Sequence, residues 1–455
     1  MKLPNEPRLP FFLQTLYTIL NPTKFLESCA QLYGETFSLR LLGQNSPPIV
    51  FFSNPQTIGT IFVTEAAKFE LGKITHVFQP LTGPESLIMQ DGKRHQRTRQ
   101  LLMPATHGEQ LNNYSQLIVE LVLQAMENWH SGLCLSIRDW MSEISLEIIL
   151  RVVFGLNNGS RYEELKQLIK PFLEYVNSPL NSIQFFWTPL QQDLGKWSPW
   201  GKFLRQQQQI DALIYAEIES RRQQFDKNVA HGKSTGQDIL SLLISAYDDD
   251  GQSMSDSELR DQLLTLLFLG HDTTASALAW AFYWIYSEPS VLQKLHHELD
   301  TLHPSNALEI TQLPYLTAVC KESLRIYPIA LISQPRVVTQ TVQIEDYEFE
   351  PGAILIPCIY LAHRRPEVYP QPQLFKPERF LSRKFSPHEY LPFGGGSRSC
   401  IGMGLSMLEM KLIIATVLSH YELTLLDKRP AKPVRRGITI VPSGECQMVV
   451  KAQRR

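Results

Sequence analysis

Cys400 is the residue of this chain whose setting points most directly to chemistry. It lies in residues 393–402, FGGGSRSCIG, where three consecutive glycines precede an arginine and the cysteine. Glycine lacks a Cβ and adopts positive φ easily, so this loop can turn tightly and approach a flat partner closely. After Ile401, apolar residues recur at helical spacing, which predicts a helix whose free N–H groups and positive dipole end face Cys400. That setting favours a thiolate, the form of cysteine that ligates metals.

A long helix is predicted to cross the whole molecule and to carry a second reactive stretch. Residues 255–258, SDSE, form a capping-box pattern, and no proline follows until after Ser287. At 1.5 Å per residue, such a helix is on the order of 50 Å long. Its middle, residues 269–274 (LGHDTT), combines a glycine with two hydroxyls that can bond to carbonyls one turn back. This combination predicts a local opening of the helix.

These two stretches resemble the cytochrome P-450 family of haem-thiolate monooxygenases, in particular its soluble bacterial and cyanobacterial members. Residues 393–402 match the family's cysteine-ligand pattern F-x-x-G-x-R-x-C-x-G at every fixed position. The resemblance implies a bound haem b (iron protoporphyrin IX) whose iron is ligated by Cys400. It further implies cofactor contacts from Phe393, Arg398, Gly402 and Gly270.

The resemblance also assigns catalytic roles in the long helix. Residues 269–274 are similar to the family's oxygen-binding pattern, A/G-G-x-D/E-T-T/S, so Thr273 is implied to hold dioxygen and a water. Asp272 is implied to help relay the protons that split the O–O bond. Leu269 departs from the pattern because it replaces a small residue, and we expect its bulk to crowd the space above the metal.

A basic helix start at residues 91–102 places His95 and Arg99 four residues apart, on one helical face. The resemblance places both against the haem propionates and adds Arg336 as a further propionate-binding residue. Taken without the resemblance, the pattern also fits a solvated basic face. The remaining cations of this segment suit the docking of an acidic electron donor. They are Lys93, Arg94 and Arg97.

Glu322 and Arg325 are three residues apart on one predicted helix, and Arg379 follows in the segment PERF. On its own, an E-x-x-R pair is more often a surface ion pair than a buried one. The resemblance implies instead that the three residues form a buried charge network that locks the core around the cysteine loop.

Electrons must come from outside this chain. The cysteines are scattered and no G-x-G-x-x-G turn is present, so neither an iron–sulfur nor a flavin module is indicated. We expect a separate ferredoxin or flavodoxin with its reductase, supplied by NAD(P)H. A peroxygenase or isomerase would need no acid–alcohol pair such as Asp272 and Thr273. A haem-based sensor without turnover would normally carry an output module.

The substrate is predicted to be a lipophilic small molecule, because the candidate pocket positions are apolar. We rank hydroxylation of a long-chain fatty acid or alkane first, and oxidation of a terpene or steroid second. The candidate pocket residues are Val77, Phe78, Leu87, Leu266, Leu269, Ile332 and Ile438.

Composition sets the limits for the whole chain. Its 455 residues are 43% hydrophobic and 19% charged, which permits a large core and excludes disorder as the main state. A net charge of -2 gives no general attraction to nucleic acid. Six cysteines without a C-x-x-C pair fit a reducing cytosol. No membrane anchor is visible before residue 20; the apolar tract 9–13 could touch a membrane surface, but we expect it to pack on the body of the protein.

The predicted fold is mainly α-helical with small β regions, the haem lying between the long helix, about 255–287, and the cysteine loop and helix at 393–419. We expect one domain over residues 1–455, a monomer, with a β-rich lobe at about 35–65 plus 337–360. A short helix at 22–33, a hairpin of 36–42 with 49–52, and a closing hairpin near 436–442 complete the prediction.

Overall fold

The computed structural model describes residues 4–454 except 42, 44–45, 179–180, 182–183, 186–187, 232–235, 303–305 and 428. Within these residues the α-helices are α1 (Phe11–Leu20), α2 (Pro22–Tyr33), α3 (Pro55–Gly59), α4 (Gln79–Thr82), α5 (Gly92–Thr106), α6 (Gln110–Met126), α7 (Ile137–Val152), α8 (Ser160–Asn177), α9 (Pro199–Ala230), α10 (Ile239–Ser245), α11 (Asp256–Ser287), α12 (Pro289–Leu302), α13 (Ala307–Thr311), α14 (Pro314–Ile326), α15 (Ile359–Ala362), α16 (Arg379–Ser382) and α17 (Met403–His420).

The strands are short and lie mostly at the two ends of the chain. They are β1 (Thr36–Leu39), β2 (Ile49–Phe52), β3 (Phe69–Glu70), β4 (Cys134–Ser136), β5 (Arg336–Val338), β6 (Val342–Ile344), β7 (Tyr347–Phe349), β8 (Ile354–Pro357), β9 (Tyr421–Leu425), β10 (Pro433–Arg436), β11 (Thr439–Pro442) and β12 (Gln447–Gln453). The largest sheet has the order β1-β2-β8-β5-β3, which joins the early hairpin to the segment near residue 350. The predicted α-rich body with small β regions is therefore confirmed.

The long helix α11 begins where the capping box predicts. Ser255 Oγ accepts a hydrogen bond from the Glu258 N–H at 3.2 Å, and the Glu258 carboxylate accepts one from the Ser255 N–H at 2.8 Å. The helix then continues without interruption to Ser287, so the predicted opening at residues 269–274 is not present. Buried side chains lie on nearly every side of α11, which makes it the central element of the main core.

Both predicted hairpins are present. β1 pairs with β2 antiparallel, from Thr36 opposite Phe52 to Leu39 opposite Ile49. Near the C-terminus, β10 pairs with β11, and β12 pairs with both β4 and β9. Trp280 Nε1 of α11 donates to the Ile440 carbonyl at 2.9 Å, which fastens β11 to the central helix.

Helix α1 exposes its apolar side chains instead of burying them. Phe12 is 58% exposed and Leu20 is 64% exposed, while Gln14 is the buried residue of this helix. The expectation that the tract at residues 9–13 packs on the body is therefore wrong for residues 9–12. Among the described residues, one helix is long and apolar enough to cross a membrane, namely α17, and 61% of that stretch is buried in the protein. Helix α17 thus belongs to the core.

Candidate functional site

The cysteine loop is shaped by its contact with Phe62, in the π-helical turn Thr60–Thr64. A Cβ on Gly395 would lie 2.5 Å from the Phe62 ring, and one on Gly396 would lie 2.5 Å from the Phe62 carbonyl oxygen. Gly394 and Gly396 also have φ values of 71° and 66°, which other residues rarely adopt. The Cys400 N–H donates to the Phe393 carbonyl at 2.9 Å and closes the loop.

Cys400 lies deep in the protein, yet its side chain is exposed. This combination is typical of a group that lines an internal cavity. Gly402 caps the start of α17, and its N–H bonds to the Cys400 sulfur. Burial nevertheless raises the pKa of Cys400, and the Gly402 N–H and Arg99 only oppose this shift. The helix start and Arg99 therefore favour the predicted thiolate without outweighing burial, and a bound metal cation would displace the proton.

Four basic side chains converge beside this loop. His95 is buried, and its pKa is lowered to about 4 by burial and by the charges of Arg398, Arg99 and Arg336. These mutual effects place the four groups close together. Arg398 forms an ion pair with Asp91, the residue that precedes α5, and it donates to the Gln90 carbonyl at 2.6 Å. The two basic residues predicted four apart on one face of α5 thus face the same region as the two later arginines.

The cations of this cluster are held by the surrounding backbone. Arg99 donates to the Ser399 carbonyl at 2.8 Å and to the Ser399 hydroxyl at 3.0 Å. Arg336 packs over the Phe62 ring at 5.2 Å, and burial and the Arg398 charge lower its pKa to about 10. Packing several buried cations together destabilises the chain unless an anion lies among them. The cluster therefore fits the two propionates of a haem whose iron is bound by Cys400.

One face of α11 is less completely buried than the rest of the helix. Leu266, Leu269, Gly270 and Thr273 are only partly buried, whereas most of their neighbours along the helix are fully buried. They follow the spacing of a single helical face. The Thr273 hydroxyl donates to the Leu269 carbonyl at 2.6 Å. A Cβ on Gly270 would lie 3.4 Å from Ile149 of α7, so this position lies against that helix.

Asp272 faces away from that surface and is paired. Its carboxylate forms an ion pair with Arg138 of α7 and accepts a hydrogen bond from the Thr439 hydroxyl of β11 at 3.1 Å. Both members of the ion pair are buried. No sequence signal pointed to Arg138, because it lies 134 residues from its partner. The relay role of Asp272 stays a prediction, and Arg138 is the residue that fixes its carboxylate.

A second buried acid lies behind α11. Glu409 of α17 is buried, and its carboxyl group accepts a hydrogen bond from the Ser145 hydroxyl at 3.5 Å. The Ser145 hydroxyl also lies 3.3 Å from the His271 carbonyl, which is a second acceptor for the same hydrogen. Burial raises the pKa of Glu409 to about 8, so this side chain is mainly protonated at neutral pH.

The structure brings Glu322, Arg325 and Arg379 together. Arg325 donates to both Glu322 oxygens, at 2.7 Å and 2.9 Å, and both side chains are fully buried. Arg379 approaches Glu322 at 3.3 Å. Arg325 also donates to the carbonyls of His363 and Pro372, both at 2.9 Å. This network joins α14 to the chain segment that leads towards the cysteine loop.

The candidate pocket residues occupy several elements. Val77 and Phe78 lie in the turn Lys73–Phe78, and Leu87 is buried at the start of the turn Leu87–Met89. Ile332 and Ile438 are exposed, at 37% and 45%. Their role in substrate contact stays a prediction.

Two of the three cations predicted to form a docking face on α5 are engaged in ion pairs within the protein. Arg94 pairs with Glu85, and Arg97 pairs with Asp248 at 2.5 Å and with Glu258 at 2.7 Å. These ion pairs lower the net positive charge of this face, and its role in docking an electron donor stays a prediction.

A glycine loop that presents a cysteine, an arginine-rich cluster beside it that can bind anions, and a partly open face of a central helix together define a haem-thiolate site. The chain belongs to the cytochrome P450 family, whose model matches residues 3–448. Putative cytochrome P450 135B1 of Mycobacterium tuberculosis is 32% identical over 454 residues, which cover 100% of this chain and 92% of that protein. Putative cytochrome P450 138 of the same species is 32% identical over 451 residues, which cover 99% and 97%.

Solved structures agree with this assignment. The retinoic acid-bound cyanobacterial CYP120A1 superposes with a TM-score of 0.83 at 25% identity, and the match covers 100% of both chains. The heme domain of cytochrome P450DA has the same TM-score at 21% identity, covers 100% of this chain and 98% of that one, and shows the shared fold. The predicted family, fold class and haem cofactor are thereby confirmed, and the chain is a monooxygenase of this family.

Proposed function

We propose that this monooxygenase inserts one oxygen atom of O2 into a C–H bond of a long-chain fatty acid or alkane. The partly open, apolar face of α11 at Leu266 and Leu269 supports a lipophilic substrate. We expect Leu269 to narrow the space next to Thr273, and a slender hydrocarbon chain fits a narrow space better than a broad ring system.

A terpene or steroid is the second candidate. The cyanobacterial CYP120A1 structure has retinoic acid bound, and that protein matches this chain over its full length. Retinoic acid is an isoprenoid carboxylate, and it shares with a fatty acid an extended apolar chain ending in a carboxylate. Both classes therefore belong in the same ligand panel.

Each group of site residues has a separate role in this proposal. Cys400 would hold the iron of a haem b, and the bound cofactor supplies the activation of O2 and the oxidation of the C–H bond. His95, Arg99, Arg336 and Arg398 would hold its carboxylates. Phe393, Gly402 and Gly270 shape the surfaces next to it.

Proton supply would involve Thr273 and Asp272. The Thr273 hydroxyl lies on the partly open face of α11 and donates to the Leu269 carbonyl. By rotating away from that carbonyl, it could instead hold a proton next to the substrate. Asp272 lies one residue earlier, and its ion pair with Arg138 holds its carboxylate in one orientation. In this position the acid can exchange protons with the interior behind the helix.

We further propose that the whole chain is one domain, acts as a monomer, and receives electrons from NAD(P)H through a separate ferredoxin or flavodoxin and its reductase. We also propose that the protein is cytoplasmic and contacts a membrane surface through α1. The exposed apolar face of α1 supports this contact. Co-sedimentation with lipid vesicles tests it, and Phe12→Ser combined with Leu20→Ser should abolish the bound fraction.

The haem-thiolate assignment is tested by reducing the purified protein under carbon monoxide. Thiolate ligation shifts the Soret band strongly to the red, and Cys400→Ala should lose that shift. An unshifted band in the wild-type protein, or an unchanged one in the variant, would contradict the role of Cys400.

The substrate class is tested with fatty acids, alkanes, terpenes, retinoids and steroids. Each compound is scanned for a spin-state change of the haem and then incubated with a surrogate ferredoxin system, and the products are identified by mass spectrometry. Hydroxylated fatty acids or alkanes are the expected products. Turnover confined to terpenes, retinoids or steroids would establish the second candidate and refute the first.

A further inference from the structure

Residues 83–87, named the strap here, cross the early part of α11 between α4 and the turn Leu87–Met89. Three hydrogen bonds join its backbone to side chains of α11. The Glu85 N–H donates to Asp261 Oδ2 at 2.7 Å, the Leu87 N–H donates to Gln262 Oε1 at 3.0 Å, and Gln262 Nε2 donates to the Glu85 carbonyl at 2.6 Å. A loop backbone bonded to helix side chains is held in one register.

A fourth contact lies in the same row. The Thr265 hydroxyl donates to the Asp261 carbonyl at 2.6 Å, so its hydrogen is already used. Ser86 must therefore donate in the 2.6 Å contact between the Ser86 and Thr265 hydroxyls. Ser86 is fully buried and Gln262 is 1% exposed, so water cannot replace these bonds.

Glycine at position 83 lets the strap approach this closely. Gly83 has a φ of 85°, and a Cβ there would overlap the Asp261 carboxylate. That carboxylate is fixed by Arg260 at 2.7 Å, and Arg260 in turn binds Asp211 of α9. The strap is therefore positioned by a charged group that is itself held in place.

The strap lies on the face of α11 that carries the proposed site. Gln262, Leu266, Leu269 and Thr273 are separated by four, three and four residues, a spacing that keeps them on one side of the helix. Leu87, whose N–H is bound by Gln262, is buried and belongs to the main core cluster. The strap thus contacts α11 one helical turn before Leu266, on the side that carries Leu269 and Thr273.

We propose that Gln262 is a positioning residue for substrate selection. Together with Asp261 and Thr265 it latches the strap to α11, and the latched strap sets the position of Leu87 and so limits the size of molecule that fits beside Leu269 and Thr273. This inference rests on the proposed function of the site, since it concerns which ligands that site admits.

The central experiment compares the haem-loaded Gln262→Leu variant with wild type and with Gln14→Leu. Gln14 is a suitable control because it is also 1% exposed and also bonds only backbone groups, namely the carbonyls of Leu9 at 2.8 Å and Pro7 at 3.3 Å and the Arg40 N–H at 2.9 Å. Hydrogen–deuterium exchange should be about tenfold faster in peptides covering residues 83–90 of Gln262→Leu, because two buried bonds are lost. Gln14→Leu should leave those peptides unchanged.

Ligand selection is measured with a series of imidazoles carrying substituents of increasing bulk. Imidazoles bind haem iron directly, so their affinities report the space near the iron whatever the natural substrate is. Gln262→Leu should improve the ratio of bulky-ligand to small-ligand affinity at least fivefold, whereas Gln14→Leu should not change it. Unchanged exchange of the strap, or a ratio within twofold of wild type, would overturn the latch.

Two further variants distinguish a misfolded Gln262→Leu protein from a failure of the proposal itself. Thr265→Val removes the Ser86 contact and the Thr265 bond to the Asp261 carbonyl within α11, but it leaves both Gln262 bonds in place. It therefore keeps the test available if Gln262→Leu does not fold, and it should change both readouts in the same direction by a smaller factor. Gln262→Glu keeps the acceptor for Leu87 and should rescue part of the selectivity; no rescue would count against the proposal. If no lipophilic compound binds wild type, the proposed substrate class fails, while the exchange and imidazole results still decide the latch.

Discussion

Replacing Arg325 with methionine gives the most quantitative test of how this fold supports its site. Arg325 and Glu322 are both fully buried, and Arg325 supplies two bonds to the Glu322 carboxylate. Arg325→Met keeps a long apolar side chain but leaves the carboxylate with Arg379 at 3.3 Å and the Lys376 N–H at 2.8 Å. The variant therefore creates an incompletely compensated buried charge.

The expected cost follows from these contacts. Breaking a buried ion pair from one side destabilises a protein by about 3–5 kcal/mol. The carbonyls of His363 and Pro372 also lose a donor, at a cost of about 1 kcal/mol each. Because the remaining partners of Glu322 offset part of the loss, we expect a net decrease of about 4 kcal/mol in the free energy of unfolding. That is a large share of a typical stability of about 5–15 kcal/mol.

Urea unfolding of the haem-loaded protein, followed by far-UV circular dichroism and by Soret absorbance, measures this loss. Lys68→Met is the control, because Lys68 and Glu65 have the same i,i+3 spacing but side chains that are 36% and 25% exposed. Such a pair contributes less than about 1 kcal/mol. Adding Glu322→Gln to Arg325→Met should recover part of the stability, since the buried charge is removed. If Arg325→Met is no less stable than Lys68→Met, the network does not stabilise the core.

Three other predictions concern the site. The pKa of Glu409 is about 8 in the folded protein and 4.5 without burial, so its contribution to stability is full below about pH 4.5 and falls by about 1.4 kcal/mol per pH unit as pH rises to about 8. Glu409→Gln should remove this slope in urea titrations between about pH 5 and pH 8, and an unchanged slope would show that Glu409 is not its source. Thr273→Ala should retain the cofactor but release most reducing equivalents as hydrogen peroxide, measured as peroxide per NAD(P)H consumed; full coupling to product would refute its role with protons. Leu269→Ala should bind bulky ligands at least about fivefold more tightly, as one lost leucine side chain opens space near Thr273, and an unaltered ligand range in spectral titrations would show that Leu269 does not border the site.

Much of this organisation could be predicted from local sequence signals. The capping box at Ser255 fixes the start of α11, and a proline-free run fixes its extent, because both are set by residues within a few turns. The loop around Cys400 is recognisable because its glycines are needed for positive φ and for contact with Phe62. His95 and Arg99 could be placed on one face because the helical repeat alone decides it.

The remaining features depend on contacts between distant segments. Arg138 lies on α7 with no local signal that its partner is Asp272. Gln262 looks like an ordinary helix residue until the strap is placed over it. Arg94 and Arg97 looked like free surface cations, but their acidic partners come from other segments. The exposed face of α1 could not be distinguished from a packed one, because apolar periodicity does not show whether a neighbour covers it.

The convergence of Arg99, Arg336 and Arg398 also bears on how the protein matures in a cell. In the newly made polypeptide these guanidinium groups repel one another, and a dianion bound among them replaces repulsion with attraction. Binding of that ligand and the final packing of α5 against the cysteine loop are therefore thermodynamically coupled. If the protein is made faster than porphyrin is supplied, α5 and the cysteine loop should therefore stay loosely packed against each other. We expect cellular proteases to make their first cut there, so that the amount of protein accumulated follows the supply of porphyrin.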